Sequence, residues 1–227
     1  MTKKGIKSLI VFLTIMCVSF TLQAQDSDDT SFKFMVDAGF GKSNVRIGSN
    51  ISPWGVHYRG NYNNGIYVNL QGSIIFKDNT TLGLKWDLMS SYANYEIDDG
   101  RGVARVSDNV SISYFAPQFG FIGSYSTKFS ISLETGVGYA GYQSFGLLEL
   151  EEYRIYSHML GLNLDISLSY LSRNKVAFGC KSSTFAALPP DKLHSNIGGT
   201  KDKIKMDKTN QIYPAIFNFS VFLRRYF

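Results

Sequence analysis

Met159-Leu160-Gly161-Leu162-Asn163-Leu164-Asp165-Ile166-Ser167-Leu168-Ser169-Tyr170 alternates without a break from Leu160 onward. Leucine, isoleucine and tyrosine take the even positions, while Met159, Gly161, Asn163, Asp165, Ser167 and Ser169 take the odd ones. Successive side chains of a strand point to opposite faces, so this stretch builds a ribbon with one apolar and one polar face. The same split recurs at Ile66, Val68, Leu70, Ile74 and Phe76 against Tyr67, Asn69, Gln71 and Ser73. It recurs again at Phe129, Ile131, Leu133, Val137 and Tyr139 against Ser130, Ser132, Glu134, Gly136 and Gly138.

Working outward from these stretches, eight strands are expected at 32–41, 65–76, 80–89, 112–123, 129–140, 159–171, 175–184 and 213–227. The fourth is the least regular. Its pattern slips at Phe115-Ala116-Pro117, where a bulge is expected because proline cannot donate to a ladder. Short connections (77–79, 124–128, 172–174) alternate with long ones (42–64, 90–111, 141–158, 185–212). That is the pattern of an outer-membrane barrel with short periplasmic turns and long extracellular loops.

Composition agrees with strands and turns. Tyr (14), Phe (17) and Gly (21) are plentiful and Pro (5) is scarce. Lys3, Lys4 and Lys7 precede an apolar run from Leu9 to Leu22, and Leu22-Gln23-Ala24 follows. This reads as a signal peptide over 1–24 with cleavage after Ala24, a short flexible lead-in over 25–31, and a barrel domain over 32–227. The run is too short to span a bilayer as a helix. Subtracting the three leader lysines from the formal charge of +5 leaves +2. No concentrated basic face survives for nucleic acid. Cys17 lies in the leader, so Cys180 stands alone and no internal disulfide is available.

Alternation also fits a soluble barrel whose apolar face points inward. Two features favour the inverse. Aromatic residues gather at strand ends on the apolar face: Phe32, Phe76, Phe121, Phe129, Tyr170 and Phe227 toward one rim, Phe40, Tyr139 and Tyr213 toward the other. They would form the two interfacial girdles of a membrane barrel. The polar face, rich in Gly, Ser and Asn, suits a cramped interior. The end of the chain, Phe217 to Phe227, resembles the C-terminal signature strand of outer-membrane barrels, through Phe217, Phe219, Val221, Leu223 and the terminal Phe227. Arg225 departs from that signature at a rim position where it can snorkel. The Pro-containing fourth strand and Glu134-Thr135-Gly136-Val137-Gly138-Tyr139-Ala140-Gly141-Tyr142 resemble the Bacteroidetes-type small outer-membrane barrels, PorT-like and OmpA- or OmpX-like. The resemblance implies a closed, antiparallel, up-and-down all-β barrel in the outer membrane of a Gram-negative bacterium. It implies delivery to barrel-insertion machinery through the C-terminal strand. It does not imply a pore.

Catalytic chemistry has little to stand on. His57, His158 and His194 fall in expected loops, and Ser157-His158 and His194-Ser195 are only sequence neighbours, which face opposite ways on a strand. No cofactor or metal motif is present: Gly136-Val137-Gly138 lies within a strand, and Asp98-Asp99-Gly100 lacks calcium-loop spacing.

Strand parity places eight charges inside the barrel: Lys33, Asp37, Lys85, Asp87, Glu134, Asp165, Lys181 and Arg224, four basic and four acidic. An eight-stranded interior is just wide enough for side chains to fill, so these charges are expected to pair across the axis and plug it. A hydrated lumen is the alternative. Among the loops, the first carries Arg46 and Arg59 and the fourth carries Lys192, Lys201, Lys203, Lys205 and Lys208. The second and third are net acidic, through Glu96, Asp98, Asp99 and Asp108 and through Glu149, Glu151 and Glu152. Because the last strand pairs with the first, the two basic loops are expected side by side. They would form a surface for lipopolysaccharide phosphates or an acidic protein partner, or simply a solvated, charge-balanced rim. The expected role is a non-catalytic structural or adhesive scaffold, or a component of a surface or secretion assembly. A narrow passive pore and a lipid-modifying enzyme are the alternatives.

Overall fold

The computed structural model describes residues 32–49, 59–98, 103–124, 126, 128–148, 151–172, 175–206 and 212–227. The expected leader and lead-in lie outside them. Ten strands follow in order: β1 Phe32–Ser49, β2 Arg59–Phe76, β3 Thr80–Asp98, β4 Val103–Ser124, β5 Phe129–Leu148, β6 Glu151–Leu171, β7 Val176–Ala187, β8 Lys192–Ile197, β9 Thr200–Lys205 and β10 Ile212–Tyr226. Each of β1 to β6 pairs antiparallel with the next, β7 pairs with β10, and β10 returns to β1 from Met35↔Tyr226 to Ser49↔Ile212. The result is a closed eight-stranded, up-and-down barrel, with β8 and β9 as an added hairpin between β7 and β10.

Alternation settles which face is outside. Along β6, Leu160, Leu162, Leu164, Ile166 and Leu168 are each about half exposed, while Asn163, Asp165, Ser167 and Ser169 are buried. Phe115, Phe119 and Phe121 of β4, Leu82 and Leu84 of β3, and Phe217, Phe219, Val221 and Leu223 of β10 complete an apolar belt. Only a bilayer covers such a belt on a closed barrel, so this is an outer-membrane type barrel. Cys180 is exposed on this belt. Of the aromatics expected in the girdles, Phe40, Phe76, Phe121, Phe129 and Tyr139 are exposed. The side chains of Phe32 and Tyr213 are outside the described set.

The strands exceed the expected lengths. A tilted strand crosses a bilayer in roughly 9–11 residues, whereas β4 has 22 residues and β6 has 21. Much of what reads as loop is therefore strand: β1 continues to Ser49, β3 to Asp98, β4 begins at Val103 and β6 at Glu151. These extensions lie at the long-loop end and build a head above the belt. There the ring divides. The β2–β3 ladder runs only from Ile66↔Ser90 to Ile75↔Thr81. Above it β2 pairs with β1 alone, and β3 with β4 alone. On the other side β7 ends, and β8 takes its place beside β6, from Tyr153↔Ile197 to Tyr156↔His194. The head is thus two sheets, β10–β1–β2 and β3–β4–β5–β6–β8–β9, facing each other.

Phe115-Ala116-Pro117 is not bulged. Its pairs with Trp86, Lys85 and Leu84 continue in register. The slip marks a change of surroundings: Val106, Val110, Ile112, Tyr114 and Ala116 point into the head core, whereas Phe115, Phe119 and Phe121 point to lipid. The apolar residues change parity because the strand passes from water into membrane. The register shift in the barrel lies instead between Ser43 and Val45 on β1 against β2.

The turns at the opposite end are tight. Asn79 adopts φ 65° after Phe76, a left-handed position Asn tolerates. The Asp78 carboxylate accepts from the Thr80 hydroxyl (2.7 Å) and amide (3.1 Å), which holds it below its ordinary pKa. Gly198 (φ 53°) and Gly199 (φ 86°) close the β8–β9 hairpin with the two left-handed residues that a type I′ turn requires.

Candidate functional site

The interior has three layers. Nearest the short turns, Met35, Ile75 and Ile122 pack with Tyr226. Above them is a polar layer, and above that the head core, where Val45, Tyr62 and Ile212 of one sheet meet Val106, Tyr153 and Leu193 of the other.

The polar layer is built from side chains that alternation turns inward at similar heights. Arg224 donates from Nε and Nη2 to the two oxygens of Asp37, both at 2.7 Å, across the β1–β10 closure. Lys181 of β7 reaches the same Asp37 at 3.5 Å and donates to Gln71 Oε1 at 3.3 Å. Gln71 in turn donates to Glu134 across the axis from β2 to β5, at 2.6 Å. Lys85 of β3 lies 2.8 Å from Asp87 on its own strand and 2.5 Å from Asp165 of β6 on the far wall. Ser183 donates to Asp165 at 2.6 Å, and Tyr67 to Asp87 at 3.0 Å. Lys181 and Arg224 also lie over the ring of Phe222, at 5.4 and 5.1 Å. The charged members, Asp37, Lys85, Asp87, Glu134, Asp165, Lys181 and Arg224, are no more than 1% exposed. Directly above, Tyr114 and Gln118 both donate to Asn163. Gly136 is the residue that leaves space for Gln118, since a Cβ there would lie 2.2 Å from its amide nitrogen.

Seven of the eight expected lumen charges therefore meet in this layer. Lys33 does not. It has inward parity, but it sits at the rim beside the short turns, where its side chain is exposed. Without it the layer holds four carboxylates and three cations. Asp108, which reads as a loop residue, is buried in the head on β4, where it accepts from the Tyr62 hydroxyl and from Ser144 at 2.8 Å. It ties β2 to the opposing sheet at the level where the two strands flanking the gap no longer pair. Its signal was available in Val106-Ser107-Asp108-Asn109-Val110, whose even members continue the inward face of β4. The interior thus carries five carboxylates against three cations among the described residues, and not an even balance.

The basic loop residues are arranged differently from expectation. Arg46 is exposed on β1, while Lys192, Lys201, Lys203 and Lys205 are exposed on the β8–β9 hairpin, which pairs with β6 and so lies on the third-loop side. Backbone pairing sets β8 at the edge of β6 that β7 vacates, with β9 outside it. The Arg59 side chain and Lys208 are outside the described residues, as is His57. Ser157 donates inward to the Lys192 carbonyl at 2.8 Å, whereas His158 lies outside with its Nδ1 against the Tyr139 hydroxyl. His194 stacks on Tyr156 at 4.9 Å and 10° on the outer face, and Ser195 is buried behind it. Neither Ser/His neighbour pair meets.

No family model matches the chain, and no curated protein is significantly similar to it. Among solved structures it is similar to a major outer membrane protein from Thermus thermophilus, at 13% identity and a TM-score of 0.56, over 87% of this chain and all of that one. It is also similar to Neisserial surface protein A (10% identity, TM-score 0.49, 86% and 97% covered) and to the outer membrane protease OmpT from Escherichia coli (8%, 0.49, 89% and 100%). At this identity the likeness to the Thermus protein is one of fold: a small outer-membrane barrel.

Proposed function

We propose that this chain is a non-catalytic outer-membrane scaffold that works through its head, with the long-loop end facing outward. The observation that carries the reading is the filled interior. Cross-axis bridges from Lys85 to Asp165 and from Gln71 to Glu134 lie between two apolar layers. Burying unpaired charge is costly, so side chains joined this way hold one another in place and leave ions no continuous path. The head, lifted clear of the bilayer, supplies the surface for adhesion or for a surface or secretion assembly. The resemblance of the C-terminal strand and of Glu134–Tyr142 supports a Bacteroidetes-type, PorT-like relative, exported by its leader into a Gram-negative outer membrane.

Planar-bilayer recording of the purified chain tests this. The expected trace is a closed baseline with at most brief, small openings. A large, steady conductance from the wild type would replace the scaffold with a pore.

A further inference from the structure

The outer face of the β5–β6–β8–β9 sheet carries three successive cationic rows. Even residues of β6 and β8 and odd residues of β9 point outward, and the pairing Tyr156↔His194↔Lys203 sets their rows. The row nearest the membrane holds His158, Lys192 and Lys205. The next holds Tyr156, His194 and Lys203, and the next Arg154, Asn196 and Lys201. Only past these does an acid, Glu152, share the face. Asp202 has the opposite parity on β9, and Asp191 precedes β8. Among the described residues, none of the four lysines is ion-paired, and Arg154 donates only to Gln143, at 3.1 Å.

Immediately below lie Leu160, 52% exposed, and Leu188, 61% exposed, joined by the bond from the Leu188 amide to the Leu160 carbonyl. These are belt residues in contact with lipid. Two residues of a tilted strand rise about 5 Å, so the first cationic row sits at headgroup depth. Tyr139 and Tyr156, 50% and 40% exposed, flank it as interfacial aromatics.

We infer that this sheet face is a binding surface for the phosphate groups of a lipid in the surrounding leaflet. Lys192, Lys205 and Lys203 supply the charge and His158 and His194 the further donors. The apolar belt directly beneath receives the acyl chains. An acidic soluble protein would have no use for the leucines under the lysines; a phosphorylated lipid engages both at once. The inference rests on the proposed outward orientation of the head and extends that reading to one ligand class.

The test uses the purified chain in phosphatidylcholine nanodiscs doped with lipid A carrying its phosphates or with dephosphorylated lipid A, with native mass spectrometry counting retained lipid. The phosphorylated form should be retained in clear preference. Near-surface lysines are worth roughly fivefold each toward anionic lipid, so Lys192→Gln/Lys203→Gln/Lys205→Gln should reduce the preference on the order of a hundredfold. Lys42→Gln/Arg46→Gln, on the other sheet, should leave it intact. Boiling-dependent gel migration checks that each variant remains folded. Equal retention of both lipids by the wild type, or an unchanged preference in the triple variant, overturns the inference. Displacement of the lipid by millimolar inorganic phosphate would assign the surface to a soluble anion and overturn it equally. Bilayer conductance is a separate readout, so loss of the scaffold reading and loss of the lipid site are distinguishable.

Discussion

The membrane half and the head are made by the same strands with opposite polarity. In the lower half, Leu164 and Phe119 face out while Asp165 and Gln118 face in. In the upper half, Arg154 and Asn109 lie on the outer face while Ile155 and Val110 are buried. The backbone ladder crosses the boundary unbroken from β3 to β4 and from β5 to β6, and from β4 to β5 it keeps one register on both sides of the unpaired Ala116-Pro117. The contrast shows that period-two patterning fixes only that one face is apolar. The medium on the outside decides which. The lower interior can be polar because it is closed at both ends and paired internally. The upper interior is mainly apolar because two sheets no longer joined by a continuous ring hold together chiefly by packing, with the Tyr62–Asp108 bond between them.

The largest break in this contrast should come from the polar layer. Lys85→Met leaves Asp87 and Asp165 buried without their cation, and removing one partner of a buried pair costs about 3–5 kcal/mol. Equilibrium urea unfolding in lipid vesicles should register that loss. A change below about 1 kcal/mol would mean that water reaches the layer.

A smaller effect separates the outer surfaces. Leu164→Arg, in the middle of the Leu160–Leu168 run, should cost about 2–4 kcal/mol, while Ser111→Arg, outward on β4 above the belt, should cost about 0–1 kcal/mol. The same vesicle assay applies. Equal costs would move the boundary between the halves.

The smallest concerns Glu134. Its Oε1 accepts from Gln71 and Thr81, and its Oε2 has no hydrogen-bond partner. Glu134→Gln keeps the acceptor and removes an acid that has no cation of its own, so the stability change should stay within about 1 kcal/mol. A loss comparable to that of Lys85→Met would show that Glu134 is held by the cations after all.

These contrasts also explain what the amino-acid sequence discloses. β6 is legible because its leucines meet lipid in an unbroken stripe. β4 misleads because Tyr114 and Phe115, adjacent aromatics, belong to different surroundings, and the parity change at that point imitates a bulge. Asp37, Lys85, Asp165, Lys181 and Arg224 follow from counting positions along strands. Gln71 as the bridge to Glu134 does not, because a neutral amide carries no mark of its partner. Lys33 shows that parity without depth is insufficient. The β8–β9 hairpin is hidden because its six-residue strands expose nearly all of β9, leaving little apolar periodicity to detect.

The closure pair has a temporal meaning. Asp37 and Arg224 are separated by 187 positions, on the first and last strands of the barrel. Translation adds Arg224 long after Asp37, so a nascent chain that has not reached β10 carries Asp37 without its bidentate partner. Contacts this remote in sequence pay the greatest loop-closure entropy and form late. The salt bridge that seals the wall therefore forms only once the first and last strands of the barrel are both made.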